Sequence, residues 1–189
     1  MRMRRIGPFE VSAIGLGCMN VSHAYGLPPS PEQGERVLLT CYNKALGHTA
    51  GEFGHNDFYG VVIAACQQEN LDGATALRAM TLLDEIRGRL AEVFSLKTYK
   101  IDHVVHGAVA SAAVYGAMLG ASADEIESAI GMFVAHAIPW RAIRAGKQLS
   151  DSKGASAAIS TEFAILCMQR SMRGFLGPRD IFRNPESMF

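Results

Sequence analysis

From Phe58 onward, apolar positions recur every three or four residues, the period of a helix buried on one face. Tyr59, Val61, Val62, Ile63 and Ala65 predict a short apolar helix over 58–68. Asn70-Leu71-Asp72-Gly73 predicts a turn, with Asp72 as a cap. The next helix, 74–97, carries Leu77, Met80, Leu83, Ile86, Leu90, Val93 and Phe94 on one face. Arg78, Glu85, Arg89 and Glu92 form an opposite, solvated stripe. Residues 107–120 are mostly small, so neighbouring helices can approach closely and this segment belongs at the centre of a bundle. Ser122-Ala123-Asp124-Glu125 is a capping box that opens a helix over 123–138, stopped by Pro139. A long helix over 151–173 starts under Ser150, Asp151 and Ser152 and stops at Gly174, with Pro178 beyond. The tail, 179–189, has room for one short helical turn.

The first forty residues follow another pattern. Between Arg5 and Met19, apolar and small or polar residues alternate roughly as in a strand, interrupted by Gly15 and Gly17. A proline-rich loop follows over 22–31, then a helix from Pro31 to about Ala45. The expected fold is therefore an all-α helical bundle over 42–189, preceded by a short β-strand and loop extension over 1–41.

The composition narrows the function classes. With 189 residues and 49% hydrophobic content, the chain can bury a core. A formal net charge of zero gives no pull toward nucleic acid or an acidic membrane. No apolar run approaches the roughly 18 residues of a membrane-spanning helix, and no signal peptide is legible. Cys18, Cys41, Cys66 and Cys167 form no CxxC pair, which fits a reducing cytosol better than a disulfide framework or a zinc site.

Candidate chemistry lies where the helical pattern fails. Residues 47–60 hold four glycines, His48, His55, Glu52 and Asp57, with no aliphatic side chain larger than alanine. His55 on such a loop, with Thr49 and carboxylates nearby, suits general acid or base work; the alternative is a loop that only caps the next helix. Arg141, Arg144, Lys147 and Lys153 form a cationic set between two helices. Lys153 in the first turn of a helix would help hold a carboxylate or phosphate; the alternative is a solvated basic loop. His103 and His106 share a face if helical, as a site histidine, a plain helix-start residue or, with little carboxylate support, a metal pair. His136 on an apolar face reads as a core histidine.

Two resemblances join these pieces. Residues 10–19 and 22–26 resemble the N-terminus of the aldo-keto reductases, but the Asp, Tyr, Lys and His and the further strand–helix units that such an enzyme needs do not follow. Gly47-His48-Thr49-Ala50-Gly51-Glu52-Phe53-Gly54-His55-Asn56-Asp57, the run from Lys100 to Gly107, and above all Ser150-Asp151-Ser152-Lys153-Gly154-Ala155-Ser156-Ala157-Ala158 resemble the MmgE/PrpD family, over about 46–189. That family includes 2-methylcitrate dehydratase and cis-aconitate decarboxylase. The resemblance implies a metal-independent lyase without cofactor, acting on a small polycarboxylate; the cysteine usage points to the cytoplasm, and the small-residue helix 107–120 to a homodimer. It implies His55, His103 (with His106 the lesser candidate) and Lys153 as catalytic residues and Thr49 as a substrate contact; the cationic set adds Arg144 and Lys147 as substrate-binding residues. Two departures stand out: Tyr42-Asn43-Lys44-Ala45 replaces an aspartate-rich segment, and the family's second domain is not in this sequence. They predict a truncated or chimeric member with impaired activity. A non-catalytic helical remnant that binds an anion or dimerises is the alternative, and an NADPH-dependent reductase fragment a third.

Overall fold

The helical periods of the sequence are realised as helices, in a computed structural model that describes residues 3–6, 9–12, 57–144 and 151–187. The chain divides into two units, Met1–His48 and Thr49–Phe189. In the first, β1 (Met3–Ile6) pairs antiparallel with β2 (Phe9–Ser12), Met3 opposite Ser12 and Ile6 opposite Phe9. The strand-like stretch is thus a hairpin in its described part. The expected loop at 22–31 and helix from Pro31 lie outside the described residues.

The second unit is all-α. Helix α1 (Tyr59–Gln68) buries Val61, Val62, Ala65 and Cys66, with Ile63 on the exposed side. Helix α2 (Gly73–Val93) starts where expected, with the Thr75 N–H donating to Asp72 Oδ1 at 2.7 Å. It ends at Val93, earlier than its apolar pattern predicts. Phe94 turns to an extended conformation and stacks on Phe182, ring centroids 5.6 Å apart. A separate 3₁₀ turn, Leu96–Tyr99, then places Leu96 in the core. Arg78, Glu85, Arg89 and Glu92 are exposed as expected, but so are Leu77 and Val93, while Asp84 and Arg87 take buried positions.

Helix α3 (Val104–Met118) is the centre of the unit, buried without a break from Val104 to Ala112. It packs against α1, α2, α4 (Ala123–His136) and α6 (Ser156–Ser171). Its small residues permit this: a Cβ on Gly116 would lie 2.6 Å from Met168 Sδ of α6. The Tyr115 hydroxyl donates to Gln68 Oε1 at 3.1 Å and accepts from Gln169 Nε2 at 3.2 Å, tying three helices together.

The capping box of α4 is formed in both directions between Ser122 and Glu125. The helix stops at His136, two residues short of the reading from sequence, because Pro139 disfavours helical geometry just before it. His136 is exposed, not a core histidine. The expected single helix over 151–173 is two pieces, α5 (Asp151–Gly154) and α6, separated at Ala155 after the weak helix former Gly154. Gly174, at φ +87°, ends α6; its N–H donates to the Ser171 carbonyl and that of Phe175 to the Arg170 carbonyl, the paired bonds of a Schellman motif.

The tail then crosses α4. A Cβ on Gly131 would lie 1.9 Å from the Pro178 carbonyl oxygen, so only glycine admits this crossing. The Gly177 N–H donates to Ser128 Oγ at 2.7 Å and the Asp180 N–H to Glu127 Oε1 at 2.9 Å. Among the described residues no helix is long and apolar enough to cross a membrane.

Candidate active site

The site is built outward from the start of α3. Lys100 adopts the left-handed conformation, at φ 59°, and closes the 3₁₀ turn before it. The chain then bonds to the segment leaving α4. The Asp102 N–H donates to the Pro139 carbonyl at 3.0 Å, and the Arg141 N–H donates to the Lys100 carbonyl at 2.7 Å. Ile101 and Trp140 face each other in an isolated antiparallel bridge. The start of α3 and the exit of α4 are therefore joined in one backbone-bonded junction.

His103 follows this junction. Its Nδ1 lies 3.1 Å from Oδ1 of Asp102, which is fully buried, while the His103 side chain keeps 13% exposure. The same Oδ1 accepts the Val104 N–H at 3.2 Å. His106, one turn on, is buried at 2% exposure inside the bundle, so the two histidines do not open together to solvent.

The cationic set begins on the other half of the junction. Arg141–Arg144 forms a 3₁₀ turn, and α5, which bears Lys153, packs against that turn and against α6. Lys153 is half-buried, and its carbonyl accepts from Ser156 Oγ at 3.0 Å. His103, the Arg141–Arg144 turn and Lys153 thus belong to contiguous elements at one end of the bundle. The Arg144 side chain, Lys147, Thr49 and His55 lie outside the described residues.

The far end of the glycine-rich loop is described from Asp57. Phe58, fully buried, lies over Gly107, where a Cβ would be 2.0 Å from its ring. The Arg87 guanidinium lies over the Phe58 ring, 4.9 Å from its centroid. Arg87 Nη1 donates to Asp84 Oδ1 at 3.0 Å, and the Tyr59 hydroxyl donates to Asp84 Oδ2. Burial, and then the hydrogen bond to Asp84, push the Tyr59 hydroxyl well above its ordinary pKa. Burial lowers that of Arg87, against the pull of Asp84. His103 and Gly107 are four residues apart, so the loop rejoins the bundle on the His103 side of α3.

Reading by sequence singled out His103 and Lys153 but not Asp102, whose only signal is an acid directly before a histidine at a helix start. Chemically, the described part offers an imidazole on an ionisable partner beside a cationic turn, a fit for proton transfer on an anionic molecule. Among the described residues no group of His, Cys, Asp and Glu has a metal-holding arrangement. Over residues 47–189 the chain matches the MmgE/PrpD N-terminal domain.

Proposed function

Because the chain belongs to the MmgE/PrpD family, we propose that it serves as a lyase domain, a dehydratase or decarboxylase, for a small polycarboxylate such as 2-methylcitrate. The observation that carries this reading is the junction that sets His103 beside the Arg141–Arg144 turn and its neighbour α5, which bears Lys153. Dehydration of a β-hydroxy acid breaks a C–H bond next to a carboxylate and a C–O bond beyond it. The double bond forms as the proton passes to a base and the hydroxyl leaves, protonated, as water. Negative charge builds beside the carboxylate in between, where fixed cations stabilise it most.

In this reading His103 and His55 divide the proton transfers, and Lys153, Arg144 and Lys147 hold carboxylates, with Thr49 against the substrate. Three peptide units separate His55 from Phe58, a reach of at most about 11 Å, which supports pairing the two histidines in one site. Cys66 and Cys167 are buried free thiols, in keeping with a reducing, cytosolic setting.

The test is turnover of 2-methylcitrate and of cis-aconitate by the purified chain and by His103→Gln and Lys153→Ala. Loss of a general acid or base predicts a kcat lower by about 10²-fold or more for His103→Gln. Lys153→Ala should chiefly raise KM. A chain that turns over neither compound, yet binds them through Lys153, would instead be the non-catalytic anion-binding remnant.

A further inference from the structure

We infer that Asp102 is the positioning residue of His103: its carboxylate fixes the imidazole proton on Nδ1 and assigns the lone pair to Nε2. The inference rests on the reading of His103 as a proton-transfer group. Asp102 is held at its N–H, its carbonyl and Oδ1. Its N–H donates to the Pro139 carbonyl, its own carbonyl accepts the Val105 N–H at 3.3 Å, and Oδ1 accepts the Val104 N–H. These bonds fix the backbone of Asp102 and hold Oδ1 on the side of the ring.

A helix cap alone does not explain a carboxylate at this position. Asp72 caps α2 from an exposed site. Asp102 is 0% exposed, and burying an ionised carboxylate is costly unless charge or proton donors surround it. His103 Nδ1 lies 3.1 Å from Oδ1, within reach to serve as one such donor. An ionised carboxylate only accepts, so a neutral imidazole facing it must carry its proton on Nδ1. Nε2 is then the nitrogen able to take a proton from a substrate. A helix start thereby selects one of two imidazole forms before any substrate arrives.

The experiment is long-range ¹H–¹⁵N NMR on the full chain labelled at its histidines, at about pH 8.5, two units above the ordinary imidazole pKa. The His103 signals are those lost in His103→Gln. In the native chain the Nδ1–H form should exceed the Nε2–H form by about tenfold or more, the preference a charge-assisted hydrogen bond confers. Asp102→Ser, which keeps a capping oxygen and removes the carboxylate, should abolish that excess. A native chain dominated by the Nε2–H form would overturn the inference, as would a folded Asp102→Ser chain with the excess intact. If Asp102→Ser does not fold, the native ratio decides alone. Turnover enters neither readout, so failure of the lyase reading, seen as unchanged turnover in His103→Gln, is a separate result.

Discussion

Arg87 has no exposed surface, and a guanidinium is that deeply buried only where other groups answer its charge. Asp84 supplies the opposite charge, Tyr59 holds the second oxygen of that carboxylate, and Phe58 offers a ring face to the guanidinium. These residues fix the point where the glycine-rich loop rejoins the bundle. Arg87→Met leaves the Asp84 carboxylate buried without this counter-charge. It should lower stability by about 3–5 kcal/mol, whereas Arg87→Met with Asp84→Leu should cost clearly less, because no charge is then stranded. Urea denaturation of the two variants checks this; a double variant as destabilised as Arg87→Met would contradict the stranded-charge account. None of this was legible in the sequence. Glu85 and Arg89, on the same helix, form an exposed pair at 2.8 Å, and an Asp–Arg pair at similar spacing looks identical in a linear reading. What buries one pair and not the other is contributed by Phe58, just before α1, and Tyr59, its first residue.

The ends of the helices were the most legible elements, because a cap depends on residues three or four positions apart. Asp72, Ser122 and Gly174 act as their local sequence dictates. The breaks at Phe94 and Ala155 were not legible. The first accompanies a ring stacked on Phe182 far along the chain, and the second separates pieces whose apolar positions read as one period. The candidate site divides in the same way. His103 and Lys153 stood out by residue type and motif, whereas the junction that sets their surroundings is made of backbone bonds that no residue type announces. Caps also carry a pH signature. Hydrogen bonds from the Ser122 backbone and hydroxyl hold the Glu125 carboxyl below its usual range, and those from Thr75 do the same for Asp72. A depressed folded-state pKa stabilises above the unfolded value, about 4, and that stabilisation is lost as pH falls through the folded value. The urea midpoint should therefore fall on acidification below about pH 4. The double variant Asp72→Asn, Glu125→Gln should start lower at neutral pH and lose less. Parallel curves for the two proteins would contradict the assignment.

At the scale of the whole helical unit, α3 is the axis and the other helices are its wall. The crossing of α4 by the tail at Gly131 closes one side and leaves Phe175 and Leu176 beside it, 62% and 81% exposed. The junction between the start of α3 and the exit of α4 has a consequence in time as well as in space. It closes a helical hairpin whose two arms are neighbours in sequence, so the chain entropy lost in forming it is modest. The tail crossing, by contrast, brings together segments on either side of α5 and α6. The expected order of events puts the His103 junction first, while the tail is still unattached. In pulsed hydrogen exchange during refolding, the Asp102 and Arg141 amides should gain protection before that of Gly177. The reverse order would show that the junction is imposed late by the finished bundle. With the expected order, a growing polypeptide would close the backbone around His103 before the helix that bears Lys153 has anything to dock on, and the Arg141–Arg144 turn would be waiting when α5 arrives.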